Sequence, residues 1–230
     1  MTKDIISLMR LIQFTDSAFP IGTFSFSNGL ETAIHEKIVH DAETLEQYTQ
    51  SIALQAAYSD GIVAIKAYNA GLQNDYDAII EADNRLIEFK MNNESRLMQK
   101  RLGKKMTEMG VKIFDHSLLK KYLQDINSNK TPGSFPVAQG LIFATGGMSV
   151  EELFCSHQYG VINMILGAAV RILRVSHYDT QKILYKLSEQ TPAFYEDIKD
   201  LGFDDMNSFV PQIDILSALH EKGKMRMFMN

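Results

Sequence analysis

Apolar residues recur along this chain at the intervals of an α-helix almost from end to end, and no stretch alternates with period two between hairpin turns. A chain patterned this way builds its core by laying helices against helices, each burying one stripe. Ile5, Leu8, Met9 and Ile12 set the first stripe at i, i+3, i+4 and i+7, in a helix that stops before Pro20. Leu30, Ile34 and Ile38 share one face of a segment interrupted by Gly29. Asp41 is placed to cap a helix carrying Leu45, Tyr48 and Ile52, with a break or bend near Ser59, Asp60 and Gly61 and a stop at Gly71. Asp75 or Asp77 opens a helix through about Met91, and Asn93 caps the next, with Glu94 in its first turn and Gly110 at its end. Further helices are predicted over 114–126, from 135 onward with Pro136 in the first turn, from about 150 to 174, over 179–190 and over 192–201. The polar run 127–134 separates two of them, but composition does not change across it and no fixed-period repeat is present. The expectation is a single all-α domain over 1–230, a bundle of about ten helices. Gly and Ala in 138–147 and 167–169 suit close helix approach.

Composition narrows the function classes. Apolar residues at 45% and charged residues at 22% are those of a water-soluble folded chain. A net charge of −5 supplies no basic field for phosphate backbones, so nucleic acid is not an expected partner. Cys155 is the single cysteine, which excludes an intrachain disulfide and fits a reducing compartment. The N-terminal run carries an acid and a base and no small-residue cleavage site, so it reads as an amphipathic helix, and a cytoplasmic protein is expected. The most membrane-like stretch, 159–173, is interrupted by Asn163 and Arg171. It falls short of the roughly 20 residues a spanning helix needs, and reads as a buried helix.

Catalytic and metal chemistry are sparse. No glycine loop is followed by the lysine and hydroxyl residue that phosphate binding requires; "GLIFATGGMS" lacks the lysine. Cys155 and His157 stand two apart, on different faces of a helix, and read as a core cysteine beside a surface histidine. His35, His40, His116, His177 and His220 are in no metal-ligand spacing. Ser25 and Ser27 have no nucleophile elbow, while Glu151 and Glu152 read as first-turn charge on a helix. No catalytic residue and no metal ligand is assigned. By elimination the chain reads as a binding protein.

Two segments carry the resemblance that gives this reading content. "LMRLIQFTDSAFPIGTFSFSNGLE" resembles the N-terminal signature of the urease accessory protein F family (UreF) through Asp16, Ser17, Phe19, Pro20, Gly22, Phe24, Ser27, Gly29, Leu30 and Glu31. "PQIDILSALHEKGKMRMFMN" is similar to that family's tail in Pro211, Asp214, Ser217, His220, Glu221, Arg226 and Phe228. Between them, in order, lie Glu94, Arg96 and Gly103, the "FPVAQGL" helix, and Ala169, Val170, Arg171, Asp179 and Gln181. Thr23, Phe26, Ser134, Arg174, Ser176 and His177 depart from the family pattern, so no histidine-dependent role is carried onto 26 or 134.

The resemblance implies an all-α chaperone that is not itself an enzyme and serves nickel insertion into urease. It further implies a homodimer, a UreD/UreH-type accessory partner, the GTPase UreG and the urease apoprotein, with nickel and GTP carried by those partners and no cofactor on this chain. The missing phosphate and metal motifs agree with that division of labour. Partner contacts are then expected at an N-terminal segment of about 1–31, through Phe19, Pro20, Gly22, Phe24 and Phe26, and at a tail of about 211–230, through His220, Glu221, Arg226 and Phe228. In this reading the Phe/Gly/Ser segment orders on a partner, burying its phenylalanines. The competing reading is a generic all-α interaction adaptor unrelated to nickel.

Overall fold

The computed structural model describes residues 5–208, 210–221 and 227–229, and of Glu221 only the backbone. These form twelve α-helices and no strand among the described residues, so the all-α expectation holds. Local chemistry sets most boundaries. Asp41 opens α3 (Ala42–Ala56) with a reciprocal cap, its carboxylate accepting from Thr44 N at 2.9 Å while Thr44 Oγ1 accepts from Asp41 N at 3.1 Å. The helix then widens through one π turn, Ala57–Gly61, and continues as α4 (Ile62–Gln73), so the expected break is a bulge at the expected place. It ends on Asn74 in the left-handed region, φ 53°, three residues beyond the expected Gly71.

Asp75 caps α5 (Tyr76–Phe89), and Asn92, one residue before the expected cap, opens α6 (Asn93–Phe114) by accepting from Ser95 N at 2.7 Å. The long α6 passes through Gly110 instead of stopping there. A Cβ at Gly110 would lie 2.7 Å from Ile142 Cδ1, so the missing side chain serves a helix crossing. After α7 (Ser117–Asn127), a turn leads into α8 (Phe135–Thr145), with Pro136 in its first turn and Pro136 to Ala144 all buried. α8 lies against α4 and α6 as the axis of the main core, which includes Val63, Ala67, Met106, Leu119, Tyr122, Leu141 and Phe143.

Asp83 of α5 pins the turn before α8. It is wholly buried and accepts from Thr131 Oγ1 at 2.5 Å, Gly133 N at 2.7 Å and Ser134 N at 2.7 Å. Asp83→Ala strands those donors and is expected to lower unfolding free energy by about 3 kcal/mol or more. Urea titration measures this, and a loss below about 1 kcal/mol would mean that the turn does not depend on the carboxylate.

α9 (Val150–Ile172), opened by a Ser149/Glu152 capping box, meets α1, α3 and α8. It is the one described helix long and apolar enough to cross a membrane, and 56% of its most apolar window is buried inside the protein. α10 (His177–Ser188), α11 (Thr191–Ile198) and α12 (Pro211–Glu221) follow. A second core joins α9, α10 and α12 to α3 and the short α2 (Leu30–His35).

α1 (Ile5–Thr15) departs from expectation in its orientation. The helix forms, but its apolar stripe faces outward: Ile5 is 76% exposed, Met9 and Ile12 are each 62% exposed, and Leu8 is exposed as well. The inward side sets Leu11 and Phe14 on the main core between polar residues that meet acceptors on the surface beneath. Ser7 Oγ donates to Glu152 Oε2 at 3.0 Å, Arg10 Nη1 to the Gly146 carbonyl at 2.7 Å, and Thr15 Oγ1 to Ser156 Oγ at 2.8 Å. Phe14 alone is fully inserted, within 5.1 Å of the Phe19 ring and 5.6 Å of the Phe114 ring.

Candidate functional site

The two segments singled out by sequence, far apart in the chain, fold onto one another over α6 and α9. Asp16 begins the first by turning the chain: its carboxylate accepts from Ala18 N at 2.8 Å and its carbonyl from Phe19 N at 2.9 Å. Phe19 packs half-buried on the main core, while Pro20 is exposed. Gly22 and Gly29 both have positive φ, 88° and 77°. Only Gly29 is also crowded: a Cβ there would lie 3.1 Å from Ser217 Oγ and 3.1 Å from Tyr48 Oη, so α12 crosses the backbone at that glycine.

His220 and Glu31 fasten the second segment to the first. His220, near the end of α12, is buried between two carboxylates, with Nδ1 2.9 Å from Glu94 Oε2 and Nε2 3.0 Å from Glu31 Oε2. Glu31 also accepts from Met227 N at 2.8 Å and Phe228 N at 3.1 Å. Burial opposes ionisation of Glu31, but these backbone donors and His220 outweigh it and hold the carboxyl below its usual range. Met229 N then reaches the Ser25 carbonyl at 2.8 Å. Arg171 of α9 ties both segments together, donating to the Phe24 carbonyl at 2.6 Å and standing 4.2 Å over the Phe228 ring.

The expected anchor residues differ in exposure. Phe26 is buried against Met98 and Leu102, Phe228 is buried in the core around α2, α9 and α12, and His220 is enclosed. Hydrophobic packing within the chain holds the two phenylalanines and a pair of carboxylates holds His220, so none of the three is presented at the surface. Phe24 is presented, at 72% exposure, beside exposed Met227 and Met229. Arg226 and the side chain of Glu221 lie outside the described residues. Glu31, Glu94 and Arg171 stand within the motifs that carry the resemblance, but nothing in their spacing signals that Glu31 and Glu94 meet across His220.

A second polar cluster escaped sequence reading. Asp60, turned inward by the π turn, pairs with Lys90 Nζ and accepts from Gln99 Nε2 at 2.5 Å and Ser59 Oγ at 2.8 Å. Burial pushes the Asp60 carboxyl up, and Lys90, His157 and Ser59 together hold it below its ordinary value. His157 is buried and Cys155 exposed, the reverse of the expected assignment. The two residues do lie on different faces, but the inward face of α9 meets the polar end of Gln139, whose Oε1 is 3.0 Å from His157 Nδ1. Burial drives the imidazole down to about 4, against the pull of Asp60 and with a push from Lys90. No group of three or more metal-ligating His, Cys, Asp or Glu occurs among the described residues.

Comparison with known proteins covers both segments. The UreF family model matches residues 39–188. Over 228 residues, 99% of this chain and 94% of the other, the chain is 46% identical to proteins named urease accessory protein UreF 2 in Brucella canis and Brucella abortus. It is 42% identical over 224 residues, 97% of this chain and 98% of the other, to the urease accessory protein UreF of Yersinia pseudotuberculosis. Both segments of the site fall outside the span of the family model but within these longer similarities.

Proposed function

The chain belongs to the UreF family of urease accessory proteins, and from that premise we propose that it acts in urease maturation as a scaffold with no catalytic step of its own. Paired with a UreD/UreH-type accessory protein, it gathers the GTPase UreG and the urease apoprotein for nickel insertion. Nickel and GTP reside on those partners. The scaffold works as a homodimer in the cytoplasm. The observation that carries this reading is identity of 46% over nearly the whole length to proteins named for that accessory role. The outward stripe of α1 supports a docking function on physical grounds, because contiguous exposed apolar side chains beside a polar rim favour association.

Light scattering on chromatographed mixtures tests the scaffold. The full chain alone is expected at dimer mass, and larger complexes are expected on adding its cognate UreD-type and UreG-type proteins. A chain that forms no complex with folded partners would leave the generic adaptor as the better account. The double substitution Met9→Asp, Ile12→Asp tests the stripe without disturbing the core, since both side chains face solvent in the free chain. Thermal stability is expected to stay unchanged, while affinity for the UreD-type partner falls at least tenfold, about 1.4 kcal/mol or more. Unchanged affinity would move the docking surface off α1.

A further inference from the structure

Beneath α12 lies a chamber of about 100 Å³, lined by Ser59, Asp60, Gln99, His157, Asp214 and Ser217 among others. Gln99 and His157 are both more than nine-tenths buried, and each has one side-chain atom without a hydrogen-bond partner, Gln99 Oε1 and His157 Nε2. Their other atoms fix the character of these two. Gln99 gives its amide N–H to Asp60 Oδ1, which leaves its oxygen as a pure acceptor. Gln139 Nε2 donates to Ser156 Oγ at 3.2 Å, so its oxygen accepts a hydrogen bond from His157 Nδ1–H and the remaining ring nitrogen is a bare lone pair. Two residues that line one chamber thus each carry a buried acceptor atom, and leaving such atoms unmatched is costly.

We propose that this chamber is a binding site for a small neutral hydrogen-bond donor, which donates to Gln99 Oε1 and His157 Nε2. Charge argues for neutrality. The two unmatched atoms are uncharged acceptors and the Asp60 carboxylate is already matched by Lys90, so an added cation would meet the Lys90 ammonium with only Asp214, itself held by Asn92 Nδ2 at 3.0 Å, to offset it. An anion would meet acceptors. Size sets the class: one water needs roughly 10–15 Å³ of such volume, so the space suits a few ordered waters or one small amide or alcohol. The site stands on the geometry alone and does not depend on the role in urease maturation.

Crystals of the full chain, diffracting well enough to show ordered water, are the first test, unsoaked and soaked in formamide. Discrete density within hydrogen-bond distance of both atoms is expected. Density unchanged by the soak identifies water as the occupant, and density that becomes larger and planar identifies a solute of the amide class. A chamber without density at these atoms, or an anomalous scatterer bound to His157 Nε2, overturns the proposal. In solution, oxygen-17 relaxation dispersion should show long-lived water in the wild type and less of it in Gln99→Met, His157→Phe. Equal amplitudes in the two would overturn it as well. Gln99→Met alone replaces the pair should the double variant fail to fold, and the crystal test needs neither.

Discussion

Gly103→Ala is expected to destabilise the chain by at least about 3 kcal/mol, although it exchanges the poorer helix former for the best one. A Cβ at this position would lie 2.1 Å from the Gly133 carbonyl oxygen, 2.4 Å from Ser134 C and 2.6 Å from Phe135 N. Overpacking a core by a methyl costs about 1–3 kcal/mol when a side chain can turn aside. Here the obstacle is backbone, and Asp83 holds that backbone through the Gly133 and Ser134 N–H groups and the Thr131 hydroxyl, so α6 itself must withdraw from α8. Withdrawal loosens Met106 and Leu102 on one helix and Ile142 on the other, all buried. Gly140→Ala meets the same kind of obstacle across α4 and α8, with Ala64 O at 2.6 Å. Gly167→Ala is the control. It lies mid-helix on the exposed side of α9 with nothing within 4 Å, and should be neutral or stabilising by up to about 1 kcal/mol. Urea unfolding of the three variants separates the effects. Gly103→Ala as stable as wild type would mean that α6 and the turn before α8 are not in contact as described.

That comparison also shows how far sequence carries. Caps are local, so Asp41 is legible before any fold is known, Asp75 is legible as one of two candidates with Asp77, and so is the disturbance at 59–61 that becomes a π turn. Glycine has two meanings, and local pattern does not separate them. Gly71 and Gly110 read as helix ends and prove to be crossing points, while Gly167 reads as a crossing point and faces open space. Direction fails for a similar reason. The i, i+3, i+4, i+7 stripe of α1 correctly gives a helix, but the surface that receives it is a carboxylate, a carbonyl and a hydroxyl, so Ser7, Arg10 and Thr15 turn inward. Cys155 and His157 repeat the lesson in α9. At the candidate site the motif residues were legible as a set, because the resemblance picks out Glu31, Glu94, Arg171 and His220 together. Their meeting was not legible, since a carboxylate that caps three donors from a distant tail looks in sequence like any first-turn glutamate.

His157 yields the other large effect, and its sign follows from burial. In the unfolded chain an imidazole takes up a proton near 6.5; in the folded chain this one does so only at about 4. Between those two values the unfolded state binds more protons, so stability rises with pH across the window and is lost as pH falls from about 6.5 toward 4. A depression of this size corresponds to about 3 kcal/mol, a large share of the stability of an ordinary domain. Asp60 acts in a different window: its carboxyl is held below 3.8, so its share is lost only beneath that value. His157→Gln removes the titrating group and is expected to flatten the slope between pH 4 and 6.5, whatever it costs at pH 7. Urea midpoints measured in half-unit steps on both proteins give the difference directly. Parallel profiles would mean that solvent reaches His157 in the folded chain, and the chamber beneath α12 would then be open to bulk water.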